Sequence, residues 1–528
     1  MQPIAISEMR TRSIQFRRRG NRNVVARGVL ATLLAGCAAG PNFVPPAQPV
    51  GAAYTPRTTA RQLAAGDSEP SQRLVVNQAI PATWWTLFRS PALDSLVQSA
   101  IASSPTTEAA RARLAEAQEG VIEERGALYP QIDAGALAER QKGPPFALGL
   151  LRPRPVPTFN LYAVGPTASY APDVFGLTAR RVEEKRALAE TQAYQFVAAQ
   201  LAVTGNAVTA ALTIASIRLQ IDALEDLTAD DERNRALVRQ RLSAGRAART
   251  DELMAAAQLA NDRLPLPPFR QQVAVAENAL AVLVGRSPGE WTPPAFTLAD
   301  FTLPAELPVS LPSALVHQRP DILAAEAELH ASSAAIGIAT GRLYPTITLS
   351  GSLEPAALAT GALFDGSSVL WNLAAGITTP IFHGGVLAAQ KRAAIDGFHA
   401  SLATYQQTVL EAFGQVANIL RALSHDADLL AAERQALDAS RAALALQRLR
   451  YAAGKINMLE LLAADRSYQQ ARLGYARAEG QRFLDSAQLV VALGGGWWDD
   501  PSLCGDCRAR SDSAGKGASA SPFPSLHP

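Results

Sequence analysis

Cys37 ends the run Leu34-Ala35-Gly36-Cys37, and it is the side chain whose setting most directly specifies a reaction. Arg10, Arg12, Arg17, Arg18, Arg19, Arg22 and Arg27 precede it, followed by the short apolar stretch Val29 to Ala35. A basic segment, an apolar stretch and small residues before the cut describe an export signal. A cysteine in the first position after the cut gives it the form of a bacterial lipoprotein signal, whose thiol takes a diacylglyceryl group before cleavage. Ala38 follows, so no Asp is present there to hold a lipoprotein in the inner membrane. The mature chain is expected to begin at Cys37 and face the outer membrane. A chance buried cysteine in a cytosolic chain would leave the arginines ahead of it unexplained.

The other reactive side chains do not assemble a reaction centre. His317, His330, His383, His399, His425 and His527 are scattered, without the i, i+4 pairing of a helical metal site. No HExxH, Gly-x-Ser-x-Gly or phosphate-cradling loop occurs. Ser513 to Lys516 matches Ser-x-x-Lys, but within a Gly/Ser/Ala tail that cannot hold a catalytic geometry. Cys504 and Cys507 could close a small disulfide ring in an oxidising compartment, and two cysteines alone do not complete a zinc site. The expectation is therefore no enzyme, no metal and no cofactor, with the lipid on Cys37 as the sole attached group.

The 528-residue chain has a formal net charge of +2. Residues 1–36 carry seven Arg and one Glu, so removing them takes away six positive charges and leaves −4. No basic face remains to argue for nucleic acid. No run of eighteen apolar residues occurs, which argues against a membrane-spanning helix. A chain of this kind crosses a bilayer only as a closed β-barrel, because open sheet edges are unsatisfied in lipid.

The elements come in duplicate. Gly126-Ala127-Leu128-Tyr129-Pro130-Gln131-Ile132 returns as Gly341-Arg342-Leu343-Tyr344-Pro345-Thr346-Ile347, and Ser104-Pro105 matches Arg319-Pro320, both at an offset of 215. Pro172 and Gly176 match Pro380 and Gly384 at 208; Arg241 to Arg246 matches Arg450 to Lys455 at 209, as Gly285 matches Gly494. Ordered landmarks of this kind mark a tandem repeat. The stretch before each Tyr-Pro reads as helix. After it the period changes to two. Ile347, Leu349 and Leu353 alternate with Thr346, Thr348, Ser350 and Ser352, and Val369, Trp371, Leu373, Ala375 and Ile377 share one face. One apolar and one small polar face fits a barrel strand with lipid outside and water inside, or a half-buried strand of a soluble sheet. Loops are expected over about 139–159 and 354–368.

From Gly176 to Gly245 and from Gly384 to Gly454 the composition is helical almost throughout, followed each time by a returning helix. This is an αα-hairpin with glycine at its turn. Leu264-Pro265-Leu266-Pro267-Pro268 must kink or interrupt the first return. Two strands per repeat make four per chain, too few to close a water-filled barrel, so several chains must pool them.

These features together resemble the TolC-like outer-membrane factor family, in its NodT-type lipoprotein branch. The phrases that carry the resemblance are Cys37-Ala38-Ala39-Gly40-Pro41-Asn42-Phe43, Trp84-Trp85-Thr86-Leu87-Phe88 with Pro91-Ala92-Leu93, the paired Leu-Tyr-Pro, Pro267-Pro268-Phe269-Arg270-Gln271-Gln272 and Gly494-Gly495-Gly496-Trp497. The resemblance spans about residues 37–498. It implies a mainly α protein with a β-barrel portion: a homotrimer whose twelve-stranded outer-membrane barrel continues into a long periplasmic α-helical barrel, with a mixed equatorial region. The chain then divides into a signal peptide at 1–36, an N-terminal equatorial segment at 37–90, a first repeat at 91–285, an equatorial linker at 286–318, a second repeat at 319–494 and a disordered tail at 495–528.

The function implied is the exit duct of a tripartite efflux system, conducting small toxic compounds from an inner-membrane pump and a periplasmic adaptor to the outside. The exit duct of a type I secretion system is the alternative. A periplasmic adaptor lipoprotein fits less well, because an adaptor carries one hairpin flanked by lipoyl-like β halves. A periplasmic hydrolase lacks its nucleophile and base here. Arg241-Leu242-x-x-Gly245 and Arg450-Tyr451-x-x-Gly454 resemble the family's adaptor-docking tips. Family members line the periplasmic aperture with acids a few residues past this glycine. Asp251 and Glu460, each six residues beyond, take that place. Ala463 stands where many relatives carry a second Asp, which leaves a thinner acidic ring or one shifted to Asp465. Solvated helix-surface carboxylates are the plainer reading of the same residues.

Overall fold

The computed structural model describes residues 39–47, 54, 62–63, 72–76, 78–142 and 158–500. The signal at 1–36, Cys37, the loop over 143–157 and the Cys504/Cys507 pair lie outside the described residues.

In chain order, β1 (Gln62–Leu63) and β2 (Gln72–Val76) precede α1 (Pro91–Ser103) and α2 (Pro105–Gly126). Ser90 caps α1 by accepting from the Leu93 amide, with Pro91 in the first turn where its missing N–H costs nothing. Strands β3 (Gln131–Gln141) and β4 (Phe159–Tyr170) lead into α3 (Leu177–Ser243), which is followed by α4 (Arg249–Arg263) and α5 (Leu266–Leu283). After β5 (Glu306–Val309) and the short α6 (Pro312–Leu315), the pattern returns. It runs through α7 (Pro320–Gly341), β6 (Thr346–Ala357), β7 (Val369–Thr378), α8 (Val386–Ala452) and α9 (Met458–Ala492).

The duplication holds element by element. Helices α2 and α7 are 22 residues each, and α3 and α8 are 67 residues each. At 1.5 Å per residue the longer pair extend about 100 Å. Gly176 (φ 76°) directly precedes α3 and Gly385 (φ 85°) directly precedes α8, so Gly385 rather than Gly384 is the structural counterpart. The returns differ. Leu264 and Pro265 separate α4 from α5, whereas α9 is continuous over 35 residues. Helix α3 is long and apolar enough to cross a membrane by length and composition. Its Val203, Ala207, Val208, Ala211 and Leu212 are instead at most 2% exposed in a protein core.

The chain forms two compact units. One takes in the segment ending at Phe43, Gly120–Arg186 and Ala331–Phe398. Its sheet has the order β3-β4-β6-β7, antiparallel throughout. Strand β6 continues past the expected loop start: Glu354 and Pro355 still pair with Leu370 and Val369. The start of the described chain is strapped to this unit. Arg180 donates from Nε to the Ala39 carbonyl at 2.9 Å and from a terminal nitrogen to Asn42 Oδ1 at 2.7 Å. Gly40 (φ +83°) crosses Gly337 so closely that a Cβ on Gly40 would lie 2.5 Å from the Gly337 Cα.

The other unit takes in Val44–Glu119, Ala187–His330 and the chain from His399 onward. It holds a sheet of order β1-β2-β5, with β2 parallel to β5. Its core draws Trp84, Phe88, Leu93, Leu212, Leu280, Phe296, Leu307, Leu315 and Leu489 together from segments far apart in sequence. Residues 495–500, expected to open a disordered tail, are ordered. Gly494, Gly495 and Gly496 all take positive φ, which carries Trp497 into a buried site where its Nε1 donates to the Gln318 carbonyl at 2.7 Å. A Cβ on Gly496 would sit 2.4 Å from the Ile80 carbonyl, so only glycine fits.

Candidate functional site

The sheet separates its faces by register. Residues directly opposite on neighbouring strands share a face. Asp133 pairs with Thr167, Thr167 with Ser352 and Ser352 with Asn372, so one polar row crosses all four strands. The neighbouring row reads Ile132, Ala168, Gly351 and Leu373. On that second face Trp371 is 67% exposed, Leu373 78% and Ile377 68%. A sheet with large apolar groups open on one face and small polar groups on the other suits lipid against one side and water against the other.

Both hairpin ends use the same local structure. Gly245 (φ 70°) and Gly454 (φ 71°) take the left-handed conformation with open space around them. The Arg246 amide donates to the Arg241 carbonyl at 2.7 Å and the Lys455 amide to the Arg450 carbonyl at 2.9 Å. Each long helix thus ends in a glycine-centred cap that satisfies its last carbonyls. The two ends meet: the Arg241 guanidinium lies 5.0 Å from the Tyr451 ring centroid, a cation–π contact. Beside it lies a cleft of about 310 Å³ lined by Arg233, Leu237, Arg241, Arg448 and Tyr451 among others. Arg450 is exposed.

Asp251 and Glu460 occupy the same position, third in their helices. The Asp251 carboxylate accepts from the Ala248 amide at 3.1 Å, and the Glu460 amide donates to Asn457 Oδ1 at 2.9 Å. Acids there also favour the positive helix end. Glu460 is exposed and Asp251 half-buried. Neighbouring Glu252 is 2% exposed and is met by Arg249 at 2.9 Å, Arg239 at 3.0 Å and Arg235 at 3.3 Å. The Arg239 hydrogen bond above all holds its carboxyl below the usual range.

Asp465 departs from Asp251 and Glu460. It is 5% exposed and lies with Asp231 and Asp262, three buried carboxyl groups that each bring one oxygen within 4.8 Å of the others. Burial pushes the Asp231 carboxyl up to about 9, with a hydrogen bond to Asp262 and the Asp465 charge acting the same way. Burial also raises Asp465, against the opposing pull of Arg448. Sequence reasoning named Asp465 for the aperture and missed its two partners. The available signal was an acid on the apolar stripe of each helix.

A sheet with opposed apolar and polar faces, carried on two copies of a strand-pair-and-long-hairpin repeat, defines an outer-membrane channel subunit. The model of the family described as "Outer membrane efflux protein" matches residues 96–286 and 311–495, and the chain belongs to that family. Among relatives, it is 30% identical over 452 residues to the pyoverdine export outer membrane protein OpmQ of Pseudomonas aeruginosa, covering 83% of this chain and 91% of that one. Nodulation protein T of Rhizobium leguminosarum bv. trifolii is 27% identical, covering 88% and 96%. Among solved structures, the outer-membrane channel OprN superposes with a TM-score of 0.78 at 26% identity, covering 87% of this chain and all of that one. The open state of the Neisseria gonorrhoeae MtrE channel gives 0.75 at 27%, covering 88% and 99%.

Proposed function

We propose that three copies of this chain pool their four-stranded sheets into one twelve-stranded outer-membrane barrel and work as the exit duct of a tripartite efflux machine. The polar row Asp133–Thr167–Ser352–Asn372 carries the reading, because it supplies a continuous wet face to a lumen while its neighbours face lipid. Conduction is passive: energy and substrate choice belong to an inner-membrane pump reached through a periplasmic adaptor. The cargo class is small toxic compounds. The P. aeruginosa relative OpmQ is a pyoverdine export protein, so export of a compound of that kind fits the same duct.

Cys37 carries the lipid in this reading, and intact-mass measurement of the mature N-terminus tests it. The Gly245 and Gly454 ends, with Arg241 and Arg450, receive the adaptor. Their matched caps and shared cleft offer a preformed surface, and a photo-crosslinker at Ala244 or Lys455 should mark the adaptor's hairpin tip. Asp251 and Glu460 line the periplasmic aperture, where carboxylates of three subunits attract cations. Planar-bilayer conductance of the purified trimer is the central test. Asp251→Ala with Glu460→Ala should lower cation selectivity and weaken block by trivalent cations. Unchanged selectivity and block in an intact trimer would remove both residues from the aperture.

A further inference from the structure

Helices α3, α4 and α9 each bring one aspartate to a common point: Asp231, Asp262 and Asp465. We propose that these three carboxylates form a buried site for one divalent cation of the calcium or magnesium kind. The donor set is all oxygen, without His or Cys, which selects hard cations. Two oxygens on opposite sides of a calcium ion, each about 2.3–2.6 Å away, are at most about 5 Å apart. One oxygen from each carboxyl group lies within 4.8 Å of the other two, inside the span that a single ion bridges.

The surroundings identify what is missing. Gln258 Nε2 donates to both oxygens of Asp262, at 3.0 and 2.9 Å. Gln469 Nε2 donates to Asp262 and, at 3.4 Å, to Asp465. Arg448, partly exposed, reaches Asp465 at 3.6 Å and Asp230 at 3.4 Å. Asp231 is 5% exposed, and its Oδ2 is buried without a hydrogen-bond donor. A buried carboxylate oxygen left unsatisfied is costly. Two guanidinium groups, Arg448 on Asp465 and Asp230 and Arg233 on Asp230 alone, also fall short of the negative charge on Asp230, Asp231, Asp262 and Asp465. A proton on Asp231, donated to Asp262, would remove one charge, yet leave Asp262 and Asp465 as two buried carboxylates bridged only by the Gln469 amide. A divalent cation satisfies the Asp231 oxygen and screens all three. It would also tie the first repeat's hairpin to the second repeat's returning helix. Asp262 sits two residues before the Leu264–Pro265 break, so the ion would anchor α4 just where its helical ladder ends.

The test uses the purified mature trimer carrying Asp251→Ala and Glu460→Ala, which removes the carboxylates assigned to the aperture. After stripping with EDTA, calcium uptake is followed by equilibrium dialysis and calorimetry. About one ion per chain is expected, with at least tenfold weaker binding in Asp231→Asn and in Asp262→Asn. No uptake at millimolar calcium, or uptake unchanged by either substitution, overturns the site. A stripped trimer whose stability responds to pH and not to calcium shows that a proton is the occupant, and overturns it too. Should the asparagine variants fail to trimerise on unboiled gels, manganese-soaked crystals of the unaltered trimer decide. Anomalous density between the three carboxylates supports the proposal, and density elsewhere or none rejects it.

Discussion

The two compact units solve the same problem by opposite means. The unit built on β2, β5 and the packed helices hides its apolar groups: Trp84 and Phe88 are 1% exposed, and Leu93 and Leu212 are 0%. The sheet unit shows its own, with Leu373 at 78% and Ile377 at 68%. One unit excludes water with its own chain. The other holds its strands by backbone ladders and leaves its outer face to a surrounding that is itself apolar. A large exposed apolar face on a folded chain signals a partner or a membrane. Here its period of two, with polar residues between, selects the membrane.

Truncating the packed core should give the largest effect. Phe88→Ala is expected to cost about 3–5 kcal/mol, read as a fall in thermal and denaturant midpoints of the helical signal. Wild-type melting would mean that this unit does not depend on its core.

Charging the exposed face should come next. Leu373→Arg is expected to cost about 2–4 kcal/mol of barrel insertion if it lies near the bilayer midplane, seen as loss of the slow-migrating unboiled form in outer-membrane fractions. Asn372→Ala, one residue before and facing the other way, should insert normally. Equal defects in both would break the assignment of faces.

The hairpin ends are smaller. Gly245→Ala and Gly454→Ala place a Cβ in open space but in a left-handed backbone, at a cost of about 1 kcal/mol each. Hydrogen exchange at the helix ends should speed up while the global melt barely moves.

A further effect is electrostatic and belongs to the packed unit. Burial, then a hydrogen bond with Asp485, pushes the Asp426 carboxyl up to about 7. Its folded value lies above the unfolded value near 3.9, so folding favours the protonated form. The stabilisation is complete below about pH 4 and lost as pH rises through about 7. Asp426→Asn should flatten that part of the stability profile in EDTA-containing buffer. A slope that persists would place the titrating group elsewhere.

Much of this was legible in one dimension. Repeats preserve spacing, so landmarks at fixed offsets located the 67-residue helices and the glycines that end them. Strand faces follow from a period of two, and the register then put Ser352 opposite Asn372 and Leu353 opposite Trp371, as that alternation requires. The prolines at 265–268 announced a break because proline removes a donor and crowds the preceding turn, and α4 does stop at Arg263. The start of the tail differs from expectation: disorder is expected from residue 495, whereas Gly494, Gly495 and Gly496 bring the chain past Ile80 and bury Trp497.

The acidic cluster was decided only in three dimensions. Asp231, Asp262 and Asp465 sit on three different helices, and the third comes from the other repeat. Helical periodicity states which face a side chain occupies, but not which faces of distant helices will meet. That depends on how α3, α4 and α9 pack, and on the excluded water that makes an unpaired carboxylate there costly. Asp465 by sequence was one more acid past a glycine turn. By packing it belongs with two residues that no spacing rule connects to it.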